Sequence, residues 1–464
     1  MSRTFPRHLN PLDPPGRVRE IVARLERAGH ETWCVGGAVR DALLGEAHLD
    51  WDLATAATPT EVMRIFKRTV PVGVEFGTVG VLDSDNVMHE VTTFRRDVRT
   101  DGRHAVVEFG VRLDDDLARR DFTINAIAFS PKTGEIRDLF EGQLDLQRGI
   151  VRAVGTAEER MREDRLRALR AIRFAARFGF HIEPETWNAI VASAPHLGRL
   201  SPERVKQELE KTMEQVARPS VAMEWWRSAG ALTQLVPAIA DAPTDRFAAL
   251  DHLPRAEGQE SGVESHESRD GGGNPQSQVP RLPIHDSRHS TLGRLSMLFF
   301  GESEQAAAAA TRALRFSNAD GSWISRLSGA RAEFGAEMDR AVWEGDPSDA
   351  QIRRWVAAVG RTRTDAFVAL STALWRAGLA RAPVPAVEAR LGPFAARAST
   401  IAYRDPIEIA DLAVDGEDLQ AIGIAPGPRF GPILRRLLHV VIEDPARNTR
   451  DGLLAIAREL AAGA

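Results

Sequence analysis

The chain has 464 residues, one cysteine and a formal net charge of -5. That length allows several domains with substantial cores. The lone Cys34 excludes an internal disulfide and a cysteine-rich zinc site, and it fits a reducing compartment, so a cytoplasmic location is expected. The acidic balance offers no global attraction for nucleic acid; any such partner has to be held by a local basic surface. The N-terminus is polar and broken by prolines, unlike a signal peptide, and no stretch is long and apolar enough to span a membrane.

Residues 17–29 have the periodicity of an amphipathic helix and lead into a strand carrying Cys34 and Val35. From Trp33 to Leu53 the chain reads WCVGGAVRDALLGEAHLDWDL, which predicts strand, tight turn, short helix, strand. Gly36 and Gly37 let backbone N–H groups approach a ligand, at a helix start suited to phosphate. Arg40 falls on the first turn of that helix. Asp50 and Asp52, two apart on a strand, send their carboxylates to one face. Paired carboxylates beside a phosphate cradle suit Mg²⁺ carrying a nucleoside triphosphate. Neither G-x-G-x-x-G nor G-x-x-x-x-G-K-[ST] is present, so dinucleotide binding and a P-loop have no support.

Thr58-Pro59-Thr60-Glu61 is a capping box opening a helix that ends near Thr69. Residues 74–82 and 87–94 are expected to be paired strands, and Glu90 on the second is a candidate third carboxylate. The charged run from Arg95 to Asp116 reads as a mobile loop closing over the site. Arg119-Arg120-Asp121 then heads an apolar helix, with Asn125 one turn beyond Asp121 on the same face. Residues 134–150 read as a hairpin or turn closing the first domain.

In MREDRLRALRAIRFAARFGF, 161–180, Leu166, Leu169, Ile172 and Ala176 make the apolar stripe of a helix. Asp164, Arg167 and Arg170 recur at three-residue spacing on another face. Six arginines against two acids point to a polyanionic partner. Another helix begins at Ser201-Pro202-Glu203-Arg204. Residues 255–290, with Gly271-Gly272-Gly273, read as a flexible insertion. His285-Asp286 at its edge lacks the further histidines and aspartates that a metal-dependent phosphohydrolase needs. Residues 291–400 are helical by periodicity, and helices at 430–443 and 448–461 close the chain.

GGAVRDALLG with DWD, RRDFTINAIAF, EDRLRALRAIRFAARFGF and SPERVKQEL, in this order, resemble the motifs of the class II tRNA nucleotidyltransferase and bacterial poly(A) polymerase family. The tail from Asp411 resembles the end of CCA-adding enzymes. The resemblance implies an α+β fold, with a polymerase-β-like nucleotidyltransferase head followed by an all-helical neck, body and tail. The head is expected over 1–150, the neck with its base-selection motif over 151–220, the body with its insertion over 221–400, and a tRNA-contacting tail over 401–464.

By the same resemblance, Gly36, Gly37 and Arg40 bind the triphosphate and Asp50 and Asp52 bind Mg²⁺. Glu90 matches the family's EVTxFR strand. Arg120, Asp121 and Asn125 contact the incoming nucleotide, and Asp164, Arg167 and Arg170 select its base. Arg165 stands where the family commonly has proline. The implied activity is template-independent addition of CMP and AMP, from CTP and ATP, to the 3′ acceptor end of tRNA. PVGVEFGTVGV after the third helix and the absence of a basic C-terminal extension favour this over poly(A) addition or partial CC- or A-addition. The alternative of another class is a protein of this fold that binds RNA without catalysis; Asp50 and Asp52 count against it.

Overall fold

The computed structural model describes residues 7–46, 51–100, 105–255 and 287–462. Asp50, His285-Asp286 and nearly all of the 255–290 stretch lie outside the described residues. The chain divides into two compact units, residues 1–208 with 224–235, and 209–223 with 236–464.

In the first unit, α1 (Gly16–Arg27) buries Val18, Ile21, Val22 and Leu25, one stripe at helical spacing. It leads into β1 (Thr32–Val35), followed by α2 (Gly37–Leu44), β2 (Leu53–Thr55) and α3 (Pro59–Ile65). The Thr58–Glu61 capping box opens α3 as its sequence requires. Next come β3 (Thr69–Gly73), β4 (Thr78–Leu82), β5 (Met88–Thr93), β6 (Arg95–Thr100), β7 (Ala105–Phe109), α4 (Leu113–Ala118), β8 (Ile127–Phe129) and β9 (Ile136–Asp138). Seven strands form a mixed sheet in the order β3-β4-β5-β2-β1-β8-β9. Every residue of β1 and β2 is buried, as central strands covered on both faces must be. β2 runs parallel to β5, with Leu53 opposite Val91.

Three local expectations are corrected. The charged 95–116 segment forms a separate hairpin, β6 with β7, and then α4, in place of a loop. Its strands pair through backbone hydrogen bonds, a charged RRDVRT against AVVEF, and neither stretch shows the strict apolar–polar alternation that marks a strand. The 74–82 strand begins only at Thr78, because Val74–Phe76 is a 3-10 turn. Arg119-Arg120-Asp121 follows the end of α4 rather than heading a helix; a 3-10 turn at Thr123–Asn125 and β8 come next.

The helical continuation comprises α5 (Gly142–Arg148), α6 (Ala157–Glu163), α7 (Leu166–Phe178), α8 (Pro184–Ser193) and α9 (Pro202–Gln215). The single helix expected across 161–180 is broken at Asp164, whose backbone is extended (φ -144°, ψ 106°). Its carboxylate Oδ1 accepts the Leu166 N–H at 3.0 Å. An aspartate side chain competes with the helical backbone for such donors, so one residue ends α6 and starts α7.

The second unit is helical. Among its longer helices are Ser287–Phe299, Asn318–Glu344, Thr364–Arg381 and Pro385–Arg404. Buried Arg294 donates to the carbonyls of Met213, Val216 and Leu253 at 2.7, 3.0 and 3.2 Å. Burial pushes that guanidinium down to about 10. Helices Phe430–Glu443 and Arg450–Ala462 pack Leu437, Val441, Leu453 and Ala457 into a core of their own with Val414 and Leu419. Among the described residues no helix is long and apolar enough to cross a membrane.

Candidate active site

β1 delivers the chain to Gly36, which caps α2 with φ 73° and ψ -134°, a backbone state that side chains rarely adopt. A Cβ there would lie 2.8 Å from Arg120 Nη1 and 3.6 Å from Asp52 Oδ2. The glycine therefore leaves room for a guanidinium and a carboxylate to converge at the helix start. Around this point lies a cavity of about 400 Å³. Gly36, Gly37, Arg40, Asp52, Arg120, Asp121, Asn125, Asp164, Arg167 and Arg170 all line it. Of the residues singled out from the sequence, Glu90 lies outside this lining and Asp50 outside the described residues.

The pairing of β2 with β5 puts Asp52 level with Glu90 on the same sheet face, since Leu53 faces Val91 one step on. Asp52 is half-buried and Glu90 exposed. Oxygen donors so placed have the chemistry of a divalent-cation site. Among the described residues, however, no group of three or more His, Cys, Asp or Glu is gathered closely enough to hold a metal ion.

Behind the cavity runs a chain of buried polar contacts. Asp121 accepts from Asn125 Nδ2 and the Phe122 N–H on one oxygen, both at 2.9 Å, and from Arg170 Nε and Nη2 on the other at 2.9 and 2.8 Å. Burial alone would raise the Asp121 carboxyl, but the Arg170 charge and these donors outweigh it and hold it below the usual carboxylate range. Asn125 Oδ1 in turn accepts from Arg40 Nη1 at 2.5 Å. Arg40 is enclosed, only 3% exposed, with its Nε and Nη2 on Asp41 at 2.7 and 2.6 Å. Its guanidinium thus braces Asn125 at the cavity wall.

Two contributors escaped the sequence reading. Phe174 lines the cavity, with the guanidinium carbons of Arg173, Arg40 and Arg170 at 4.5, 4.9 and 5.2 Å from its ring centre. Its signal was the i, i+4 spacing from Arg170. Asp116, 1% exposed, grips Arg119 through Oδ1 at 2.8 and 3.0 Å and Arg120 through Oδ2 at 3.1 Å. In a run of three aspartates nothing in the sequence marks the one that turns inward.

Asp164 and Arg167 reach the same cavity from the α6–α7 break, not from one helical face. Arg167 donates to Glu163 at 2.7 Å and to the Arg119 carbonyl at 3.0 Å, while Asp164 Oδ2 accepts from Arg204 at 2.7 Å. Arg204 stands at the start of α9, and further along α9 Glu208 binds Arg173 of α7 at 2.5 Å. The SPERVKQEL segment thus fastens the break that presents the two groups.

The first unit has the fold of a nucleotidyltransferase head, a mixed sheet followed by helices. Residues 32–152 match the poly A polymerase head domain, and residues 179–242 match the probable RNA and SrmB-binding site of polymerase A. The chain thus resembles the class II tRNA nucleotidyltransferase and poly(A) polymerase family, and the relatives it matches include CCA-adding enzymes. The CCA-adding enzyme of Lactiplantibacillus plantarum is 48% identical over 201 residues, 42% of this chain and 48% of that one. That of Geobacillus kaustophilus is 46% identical over 204 residues, 44% of this chain and 49% of that one. The chain spans about half the length of the curated relatives it matches. Over whole structures, the Bacillus stearothermophilus CCA-adding enzyme in complex with CTP superposes with a TM-score of 0.69 at 26% identity, covering 98% of this chain and 100% of that one. The Thermotoga maritima CCA-adding enzyme complexed with tRNA shares the fold, at TM-score 0.61 and 20% identity over 97% of each chain.

Proposed function

We propose that this protein adds CMP and AMP, from CTP and ATP, to the 3′ end of tRNA without a nucleic-acid template. The observation that carries the reading is the meeting, in one cavity, of the Gly36-Gly37 helix start, Asp52 and the Asp164–Arg167 pair. CCA-adding relatives at 46–48% identity and a structural neighbour bound to CTP support it. In the reaction the 3′-oxygen of the RNA bonds to the α-phosphorus, the bond to the β-phosphate oxygen breaks, and pyrophosphate leaves. Asp52 and Asp50, with Glu90 as a third donor, would hold Mg²⁺, which supplies Lewis-acid stabilisation of phosphate charge when bound.

The remaining work belongs to side chains and backbone of this chain. The α2 N-terminus and Arg120 bind the triphosphate. Arg40 acts through Asn125, keeping it and Asp121 in place for the nucleotide sugar. Asp164 retains lone pairs beyond those given to Arg204 and Leu166, so it can accept the amino group of cytosine or adenine. Arg167 donates to the neighbouring ring acceptor; uracil and guanine reverse both features. Head boundaries at 1–150, neck at 151–220, body at 221–400 and a tRNA-contacting tail at 401–464 belong to the same proposal, as does a cytoplasmic location, which the lone buried Cys34 supports.

The deciding assay follows labelled nucleotide into tRNA lacking its CCA end, with CTP alone, ATP alone and both. Ordered CC then A addition is expected. Long A tracts on unrelated RNA without use of CTP would mark a poly(A) polymerase, use of only one nucleotide a partial CC- or A-adding enzyme, and tight RNA binding without incorporation a non-catalytic protein.

A further inference from the structure

On the sheet face that carries Asp52 and Glu90, the strand pairings set out a row. Glu90 faces Gly80 on β4, and Gly80 faces Val70 on β3. Walking outward from Asp52, the row therefore runs carboxylate, carboxylate, no side chain, valine. Val70, Val72 and Met88 beside the bare position are exposed, and beyond the Thr78–Thr92 hydroxyl pair so are Phe76 and, at Gly77, Phe109. A Cβ on Gly80 would lie 2.7 Å from Met88 Sδ and 3.0 Å from Val72 Cγ2, so these two side chains already lie down over the glycine. At Gly77 (φ +84°) a Cβ would fall 2.5 Å from Phe109 Cε1, so that ring occupies the space this glycine leaves. Arg95 Nη1 donates to the Phe76 carbonyl, putting a cation at the rim of the same floor.

Chemistry says what covers it. In phosphoryl transfer the attacking and leaving oxygens stand roughly in line on opposite sides of the phosphorus. The triphosphate cradle of Gly36, Gly37 and Arg120 lies on the β1 side of Asp52. The attacking 3′-hydroxyl must then arrive from the other side, over β5 and β4, which is where the apolar floor begins. The chain that carries this hydroxyl ends in unpaired nucleotides, whose bases stack on apolar and aromatic surfaces without regard to sequence.

We infer that Val72, Phe76, Met88 and Phe109 form the platform on which the unpaired bases at the 3′ end of the RNA primer rest. Such a platform tolerates each terminus that the growing end presents in turn, because every base has a π-face. This inference rests on the proposed nucleotide addition to RNA.

The test uses the full chain with Phe76→Ser and Phe109→Ser, both at exposed positions, beside Phe76→Trp and Phe109→Trp. Each serine variant is expected to raise the KM for tRNA lacking CCA about ten-fold, the scale of losing one stacked ring. The KM values for CTP and ATP should stay within about two-fold of the parent, and the tryptophan variants should keep the parent's RNA KM. A 2-aminopurine at the RNA 3′ end should be quenched by the parent and markedly less by the serine variants. Active parent with an unchanged RNA KM in the serine variants, a matching rise in the CTP KM, or no quenching in the parent overturns the platform while nucleotide addition stands. A parent that adds nothing to RNA overturns the functional reading and the platform with it.

Discussion

Arg204, forty residues beyond Asp164 in the chain, holds its carboxylate at 2.7 Å. The acid proposed to read the base is therefore aimed by a helix remote in sequence, while the break between α6 and α7 brings it to the cavity. Loss of the carboxylate in Asp164→Ala should lower CTP and ATP use and relax rejection of UTP; Arg167→Ala should lower both correct reactions. A charged hydrogen bond contributes about 1.5–3 kcal/mol, or roughly ten- to hundred-fold in relative use. Competition among all four nucleotides on one tRNA measures this directly. Unchanged preference in both folded variants would mean that the pair only shapes the helix break.

Asp52→Asn and Asp50→Asn should each keep the fold and tRNA binding while losing nucleotide addition, since an amide cannot supply carboxylate charge to a cation. Single-turnover rates, with a filter-binding measurement of tRNA affinity, check the two halves separately. Turnover within a few-fold of the parent in either variant would contradict the assignment. Glu90→Gln is expected to be impaired if its carboxylate completes the donor set.

Gly36→Ala should damage the triphosphate site rather than the core. The backbone at φ 73° and ψ -134° costs a side-chain-bearing residue about 1–3 kcal/mol, and the added methyl would press on Arg120 Nη1. The expected result is a rise of about ten-fold or more in KM for CTP and ATP alike, from an energy of that size. Nucleotide preference should be untouched, which separates this site from Asp164 and Arg167. An unchanged KM for both nucleotides would remove Gly36 from the phosphate cradle.

Asp116 makes a prediction about stability in acid. Burial would raise its carboxyl, but the charges and hydrogen bonds of Arg120 and Arg119 win and hold it below the unfolded value, near 4. A depressed folded value contributes stability that is complete above about pH 4 and drains away as pH falls through it. Asp116→Ala should therefore cost about 3 kcal/mol near neutral pH, the scale of breaking a buried ion pair. Its deficit relative to the parent should shrink on acidification. Urea melts at a series of pH values read both effects, and a deficit independent of pH would point to lost packing instead.

Much of the site was legible because local chemistry leaves marks at short range. Gly36-Gly37 and the Thr58–Glu61 capping box announce a turn and a helix start from residue type and spacing alone, whereas Arg167, Arg170, Arg173 and Arg177 of the arginine-rich run meet internal carboxylates that spacing could not name. The motifs also carried the fold, since a nucleotidyltransferase head and a helical continuation are what the structure contains.

What spacing could not supply was direction. Three-residue intervals placed Asp164, Arg167 and Arg170 on one helical face, yet Asp164 breaks the helix by capping Leu166 with its own carboxylate. Arg119-Arg120-Asp121 was expected to open a helix, yet it follows one, because Asp116 draws both arginines back while Arg170 binds Asp121 from α7. Arg40, expected from its turn to bind the triphosphate, lines the cavity and also packs against Phe174 and Phe178 and donates to Asn125, contacts that its turn does not reveal. Each outcome turns on contacts between residues far apart in the chain. The sequence by itself determined which charged groups and turns are present; the tertiary structure decided which partner each charge meets, because a buried charge goes to the counter-charge that packing brings within reach.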